Sequence, residues 1–125
     1  ARKAVCMTPE EIAALNRAIV QLLDRWKVDD EMGARILALD PQAYEAWKRA
    51  EPAGFNDDLK LRFVLLLHIH VQLRTLFTDP RRGYRWMNRP NAIFGQTPLD
   101  LLAAGDLNAI LRLQAYLAAE IQAPF

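Results

Sequence analysis

The apolar residues of the first part of the chain recur with the spacing of a helix. Between Ile12 and Trp26 they fall at offsets 0, 3, 7, 10, 11 and 14, which places them in one stripe. The stripe consists of Ile12, Leu15, Ile19, Leu22, Leu23 and Trp26. Such a stripe either closes the core of a small lobe or seals a homodimer, and periodicity does not choose between the two.

A second apolar segment, from Asp57 to about Phe77, has apolar residues on more than one side. They are Leu59, Phe63, Val64, Leu66, Leu67, Val71, Leu73 and Leu76. This pattern predicts a long central helix, capped by Asp57 and more buried than the others. Charged residues such as Lys60, Arg62 and Arg74 interrupt the segment, so we expect no membrane span.

Helix starts are marked by four dipeptides in which an oxygen-bearing side chain precedes proline. They are Thr8-Pro9, Asp40-Pro41, Asp79-Pro80 and Thr97-Pro98. The side-chain oxygen caps the helix, and proline at the first helical position needs no amide donor. Thr8 with Glu11, and Thr97 with Asp100, also have the spacing of a capping box.

The remaining pattern predicts short helices separated by turns. We expect helices at Asp30–Leu37, Pro41–Arg49, Asp79–Met87, Pro98–Ala104 and Asp106–Ile121, with a turn at 38–40 and a loop at 51–56. Gly105 suits the left-handed position after a helix, and Asp106 suits the next cap. Since no segment alternates with period two, the predicted fold class is all-α with about seven helices, divided at residues 1–56 and 57–125.

Composition narrows the function classes. The 125 residues, 52% of them hydrophobic, are enough for one compact unit, and 16 basic against 15 acidic residues give a net charge of only +1. The charge of a strongly basic nucleic-acid binder is therefore missing. Cys6 is the only cysteine, so no internal disulfide forms, and we expect a cytoplasmic protein.

Catalytic and metal-binding patterns are missing from the sequence. His68 and His70 are two residues apart, which on a helix turns their side chains about 200° from each other. They cannot share a metal ion, and we expect one packed and one solvated histidine. With no glycine-rich phosphate loop and no nucleophile elbow, we expect neither an enzyme nor a cofactor.

The segment Asp30 to Arg49 has the layout of a helix-turn-helix, with Tyr44 and Trp47 facing inward. The candidate DNA-binding residues on the outward side are Gln42, Ala43, Glu45, Lys48 and Arg49. An ordinary helical hairpin explains the same pattern, and residues 1–56 carry eight basic and nine acidic residues.

A candidate protein-binding surface follows in the C-terminal half, where four arginines lie within nine residues around Trp86. An irregular loop follows them, and an apolar segment, Ala123-Pro124-Phe125, comes after the last helix. The candidate contacts are Arg81, Arg82, Arg85, Asn88, Arg89, Asn91, Gln96, Ile121 and Phe125. The alternative is a solvated face with Trp86 turned inward, and we expect Phe94 and Leu101 to pack beneath the loop.

The order of short motifs resembles the MbcA/ParS/Xre antitoxin family from about Thr8 to Ile121. The N-terminal motifs are Arg25-Trp26-Lys27 and Trp47-Lys48, and the more specific C-terminal ones are Asp79-Pro80, Trp86-Met87-Asn88, Pro90-Asn91, Phe94-Gly95, Thr97-Pro98-Leu99-Asp100-Leu101-Leu102 and Gly105-Asp106. The recognition helix departs from the family, because Asp40-Pro41 and Ala46 stand where relatives place Ser or Thr and an Arg before the Trp.

The resemblance implies an antitoxin of a type II toxin-antitoxin system. Its N-terminal half would be an Xre-like helix-turn-helix lobe that dimerises and represses its own operon by binding operator DNA. Its C-terminal half, with the residues given above, would bind a RES-domain toxin that degrades NAD or uses it for ADP-ribosylation, and would occlude the NAD site. The antitoxin itself would bind no NAD. The alternative is a DNA-binding repressor whose C-terminal lobe binds some other protein.

Overall fold

The computed structural model describes residues 7–49 and 56–123, and these residues form seven α-helices. The helices are α1 (Pro9–Arg25), α2 (Asp30–Leu37), α3 (Pro41–Lys48), α4 (Asp57–Leu76), α5 (Pro80–Met87), α6 (Pro98–Leu102) and α7 (Leu107–Gln122). Within the described ranges there is no strand, only an isolated bridge between Asn91 and Gln96. The all-α prediction is confirmed. Cys6, residues 51–55 of the predicted loop and Phe125 lie outside the described residues.

Local capping chemistry explains where the helices begin. The capping box at Thr8 is complete, since Thr8 Oγ1 accepts from the Glu11 amide at 3.1 Å and Glu11 Oε1 accepts from the Thr8 amide at 3.0 Å. The other three dipeptides also cap their helices: Asp40 accepts from the amide of Ala43, Asp79 from that of Arg81 and Thr97 from that of Asp100. All four predicted starts are confirmed.

The predicted cap of α4 was wrong. Asn56 caps this helix, with Oδ1 accepting from the Leu59 amide at 2.9 Å, while Asp57 is the first helical residue. Asn56 has the extended backbone that a cap requires, and Asp57 places a carboxylate beside the positive end of the helix. In the C-terminal half, α6 ends at Leu102, two residues earlier than predicted. Gly105 lies three residues after this end and has φ +75°.

Helix α4 is central because it packs against α1, α5 and α7. Phe63, Leu66 and Ile69 on its inner side are fully buried. The prediction that its apolar residues serve more than one buried face holds only in part, because Val64 and Val71 are 49% and 57% exposed. Val71 lies on the side of α4 that faces solvent next to α7.

The apolar stripe of α1 is used within the chain. Ile19, Leu22, Leu23 and Trp26 are at most 3% exposed. Trp47 of α3 closes this lobe, since its indole nitrogen donates to Asn16 Oδ1 at 3.1 Å and its ring lies 5.5 Å from that of Phe63. Of the two interpretations of the stripe, a lobe core or a homodimer contact, the structure therefore supports the lobe core.

Two polar contacts fix α4 against α7. The buried Arg62 donates to Gly105 O at 3.1 Å just before α7, and Gln72 donates to Gln114 O at 3.1 Å further along. Contacts advance along both helices in the same direction, so α4 and α7 run parallel. Helices α5 and α6 form the return connection between them.

Candidate protein-binding surface

The loop between α5 and α6 is held by its own backbone. Asn91 Oδ1 accepts from the Ile93 amide at 2.9 Å, and Asn91 O accepts from the amides of Phe94 and Gly95. The Asn91 amide in turn donates to Gln96 O at 3.0 Å, which closes the loop. Asn91 and Gln96, both predicted as contacts, therefore shape the loop, and its tip presents Ile93, which is 60% exposed.

An aromatic cluster fixes this loop to α7. Trp86 stacks on Tyr116 with ring centroids 6.2 Å apart, and Phe94 meets Tyr116 edge-on at 5.2 Å. Arg112 lies over the Phe94 ring at 5.1 Å and donates to Ile93 O at 3.3 Å. Trp86 thus faces inward, as one sequence interpretation held, and the expected burial of Phe94 and Leu101 is confirmed.

Sequence reasoning missed Ile93 and Arg112 as candidate contacts. Ile93 had a usable signal, because it is a large apolar residue in the middle of a turn held by Asn91 and Gly95. Arg112 had none, because its partners in the loop are about nineteen residues away along the chain.

Only two residues of the predicted arginine cluster line a pocket beside α5. Arg81 and Arg85 line a pocket of about 600 Å³, together with Tyr84 of α5 and Asn88 just after it. Arg25 at the end of α1 and Lys27 just after it complete the lining. Arg82 and Arg89 do not line this pocket. All four arginines are exposed, and Arg81 pairs with Asp79 at 3.2 Å. The hydrogen bond from the Arg81 guanidinium lowers the pKa of the Asp79 carboxyl below its usual range.

Asn88, another predicted contact, joins two helices. Its side-chain amide donates to Trp26 O and to Tyr84 O, both at 3.0 Å. These bonds fasten the end of α5 to the end of α1, sixty-two residues earlier in the chain.

At the far end of α7, Ile121 is 38% exposed. It lines a shallow apolar groove between α4 and α7, together with Val71, Leu111, Ala115 and Ala118. The residues lining the groove include no Asp, Glu, Lys or Arg. The predicted contact Phe125 lies beyond the described part of the chain.

The predicted helix-turn-helix is formed by α2 and α3, with Ala38 at φ +54° in the turn. Tyr44 and Trp47 are buried as expected. Gly33 permits the close approach, because a Cβ there would lie 2.3 Å from the Tyr44 hydroxyl.

The candidate DNA-binding residues lie on the outer side of this hairpin. Gln42, Glu45, Lys48 and Arg49 are exposed and Ala43 is half-buried. Lys48 is engaged within the protein, since it pairs with Asp30 at 2.7 Å, and that hydrogen bond raises the Lys48 pKa. Residues 29–49 carry five acidic and three basic residues, a net charge of −2.

Other kinds of site receive no support in the part of the chain that the structure describes. No group of three or more His, Cys, Asp or Glu residues there is placed to hold a metal ion. None of the described helices combines the length and apolar character needed to cross a membrane. His68 is exposed and His70 half-buried, and burial lowers the His70 pKa with help from Arg25 and Arg74.

Comparison with known proteins assigns the C-terminal half of this structure. Residues 72–118 match the family described as the antitoxin Xre/MbcA/ParS C-terminal toxin-binding domain. No curated protein matches the chain. The matched segment runs from the end of α4 through α5, the loop and α6 into α7, so it contains the aromatic cluster and the arginines around it. It confirms the resemblance drawn from the C-terminal motifs and implies an antitoxin role with a toxin partner. Residues 72–118 therefore belong to the Xre/MbcA/ParS antitoxin family as its C-terminal toxin-binding domain.

Proposed function

We propose that this protein is the antitoxin of a type II system and neutralises a RES-domain toxin by covering the site where the toxin binds NAD. The observation that carries the proposal is the rigid loop of the matched domain. It presents the exposed Ile93 beside Arg112 on a support of stacked aromatic rings. A fixed apolar anchor next to an arginine is typical of protein interfaces, because little side-chain and loop freedom is lost on binding.

The second element of the proposal is the end of α7. Ile121 lies at the exposed end of the apolar groove, and residues 122–125 continue from there with Ala123-Pro124-Phe125. An apolar segment suits a cleft that accommodates a nicotinamide ring, so we assign Ile121 and Phe125 to occlusion and the loop to docking.

A loop variant tests docking. Ile93→Asp places a charge at the centre of the proposed contact and is expected to weaken toxin binding at least about tenfold. Leu61→Asp is the matched control, because Leu61 is also an exposed apolar residue, at 44%, but lies outside the matched segment. Binding is measured by titration calorimetry with the purified product of the neighbouring reading frame, which the proposal expects to be a RES-domain toxin. Equal affinity of Ile93→Asp and the unaltered protein contradicts docking through the loop.

Deletion of Gln122 to Phe125 tests occlusion separately. The shortened protein is expected to bind the toxin yet leave part of its NAD turnover uninhibited. Full inhibition by the shortened protein contradicts the role assigned to residues 122–125.

A second proposed role is autorepression, which the exposed outer side of α3 supports. In a mobility-shift assay with the DNA upstream of the gene, we expect salt-sensitive binding that Arg49→Glu weakens. The acidic surroundings of α3 predict that any such binding is weak without the toxin. Absence of a shift, both with and without toxin, contradicts this role.

We also propose that the protein is cytoplasmic and forms a homodimer within a larger toxin-antitoxin complex. Because α1 uses its apolar stripe in its own lobe, the dimer contact has to lie on another surface. The size of the protein alone and with toxin, measured by light scattering, tests the assembly.

A further inference from the structure

The pocket between α1 and α5 has walls of one charge. Four of its six lining residues are cationic, namely Arg25, Lys27, Arg81 and Arg85, and none is acidic. Tyr84 adds an aromatic wall, and the volume of about 600 Å³ is in the range of ligand-binding clefts.

The geometry of this pocket is fixed by contacts on either side. Asn88 joins the backbone of Trp26 to α5, so the cations of α1 and α5 stay next to each other. Beneath α5, the buried Gly83 packs against Leu73 and Phe77. The positive charges are therefore held together, and no acidic residue lines the pocket to neutralise them. Outside the lining, Asp79 pairs with Arg81.

We propose that this pocket receives acidic side chains of the toxin, and that Arg25 and Lys27 thus belong to the toxin-binding surface. The inference rests on the proposed function. Four of the lining residues lie in the matched toxin-binding domain, whereas Arg25 and Lys27 lie far outside it. A guanidinium group binds a carboxylate through two parallel hydrogen bonds, and a surface of one charge selects a partner of the opposite charge.

A protein partner fits the pocket better than nucleic acid does. The α2–α3 hairpin of the same lobe carries a net charge of −2, which disfavours a long phosphate backbone beside the pocket. An acidic loop of a toxin can place its carboxylates in the pocket without approaching the acidic α2–α3 hairpin. The toxin-binding surface therefore extends beyond the C-terminal domain onto the end of α1.

The test compares the double variant Arg25→Glu/Lys27→Glu with Arg17→Glu, an exposed arginine two turns earlier on α1. Affinity for the RES-domain toxin is measured by titration calorimetry at low and high salt, with circular dichroism as a check of folding. The double variant is expected to bind about 10- to 100-fold more weakly and with a smaller salt dependence, while Arg17→Glu binds normally. The neutral pair Arg25→Gln/Lys27→Gln, with a smaller loss, replaces the double variant if that variant does not fold.

The outcomes separate the two proposals. No binding by the unaltered protein contradicts the proposed function and the pocket inference together. Normal binding of toxin by the folded double variant contradicts the pocket inference alone. Loss of binding to duplex DNA with unchanged toxin affinity also overturns it and assigns the pocket to phosphate.

Discussion

Arg62 shows how one residue joins the two halves of the molecule. It is 7% exposed and donates to Ile36 O at the end of α2, to Gly105 O before α7 and to Asp58 within α4. A buried cation is tolerated only when such partners surround it. The sequence showed Arg62 only as a charge that interrupts an apolar helix, because its backbone partners are 26 and 43 residues away.

Replacement of Arg62 by methionine is expected to lower the free energy of unfolding by about 2–3 kcal/mol, because buried carbonyl groups lose their donor. Arg74→Met on the exposed side of the same helix serves as the control and is expected to change it by less than about 0.5 kcal/mol. Urea unfolding followed by circular dichroism measures both. Equal stability of the two variants contradicts a joining role for Arg62.

His70 makes stability depend on pH. Burial lowers its pKa in the folded protein, and Arg25 and Arg74 lower it further. The unfolded chain therefore binds a proton more readily, so acidification below the unfolded pKa of about 6.5 destabilises the fold until the folded pKa is passed. Above the unfolded pKa the histidine is neutral in both states, so it has no effect on stability.

We expect the melting temperature to fall as the pH is lowered from 7.5 to 5.5, and His70→Gln to reduce this change. His68→Gln is the control, since His68 is exposed. The comparison uses thermal unfolding in buffers of matched ionic strength. A pH dependence that is unchanged in His70→Gln attributes the effect to other groups.

Among the elements, the loops depend on two glycines with positive φ, Gly95 at +69° and Gly105 at +75°. Their surroundings differ. A Cβ at Gly95 meets no atom within 4 Å, whereas one at Gly105 lies 2.9 Å from Arg35 O. Gly95 is therefore needed only for its positive φ, whereas Gly105 is needed both for its positive φ and for the missing side chain beside Arg35 O.

Gly95→Ala is therefore expected to cost about 1 kcal/mol of unfolding free energy and Gly105→Ala clearly more, about 2–3 kcal/mol. The two variants carry the same chemical change, so each is the other's control in urea unfolding. A larger loss for Gly95→Ala contradicts the close approach of α2 to the α6–α7 turn.

The sequence predicted the helices well because their signals are local. A side-chain oxygen before proline caps whichever helix follows, so Thr8, Asp40, Asp79 and Thr97 were identified without knowledge of the fold. At α4, two oxygen-bearing residues, Asn56 and Asp57, adjoin, and the pattern did not show which one has the extended backbone.

The binding surface was harder to predict because its geometry depends on distant partners. The four arginines from Arg81 to Arg89 look like one cluster in the sequence, but only Arg81 and Arg85 line the pocket beside α1. Asn88 and Asn91 look like exposed polar contacts, yet each uses its side chain to hold backbone in place. Direct contact was therefore assigned to residues whose first role is to support the surface.

At the scale of the whole molecule, α4 separates two kinds of exposed surface. The apolar groove beside α7 carries no charged lining residue, and the pocket beside α1 is lined mostly by cations. His68 lines the groove, while His70 lies near Arg25 of the pocket, as expected for residues about 200° apart on one helix. The molecule thus offers a toxin both an apolar and a basic surface, and the matched domain contributes to each.

The rate of NAD turnover by the purified RES-domain toxin, measured while this protein is added in increasing amounts, tests the central claim most directly. The account predicts that turnover falls in proportion to the protein added and is abolished once the toxin is saturated. Turnover that continues at its full rate in the presence of excess folded protein contradicts it.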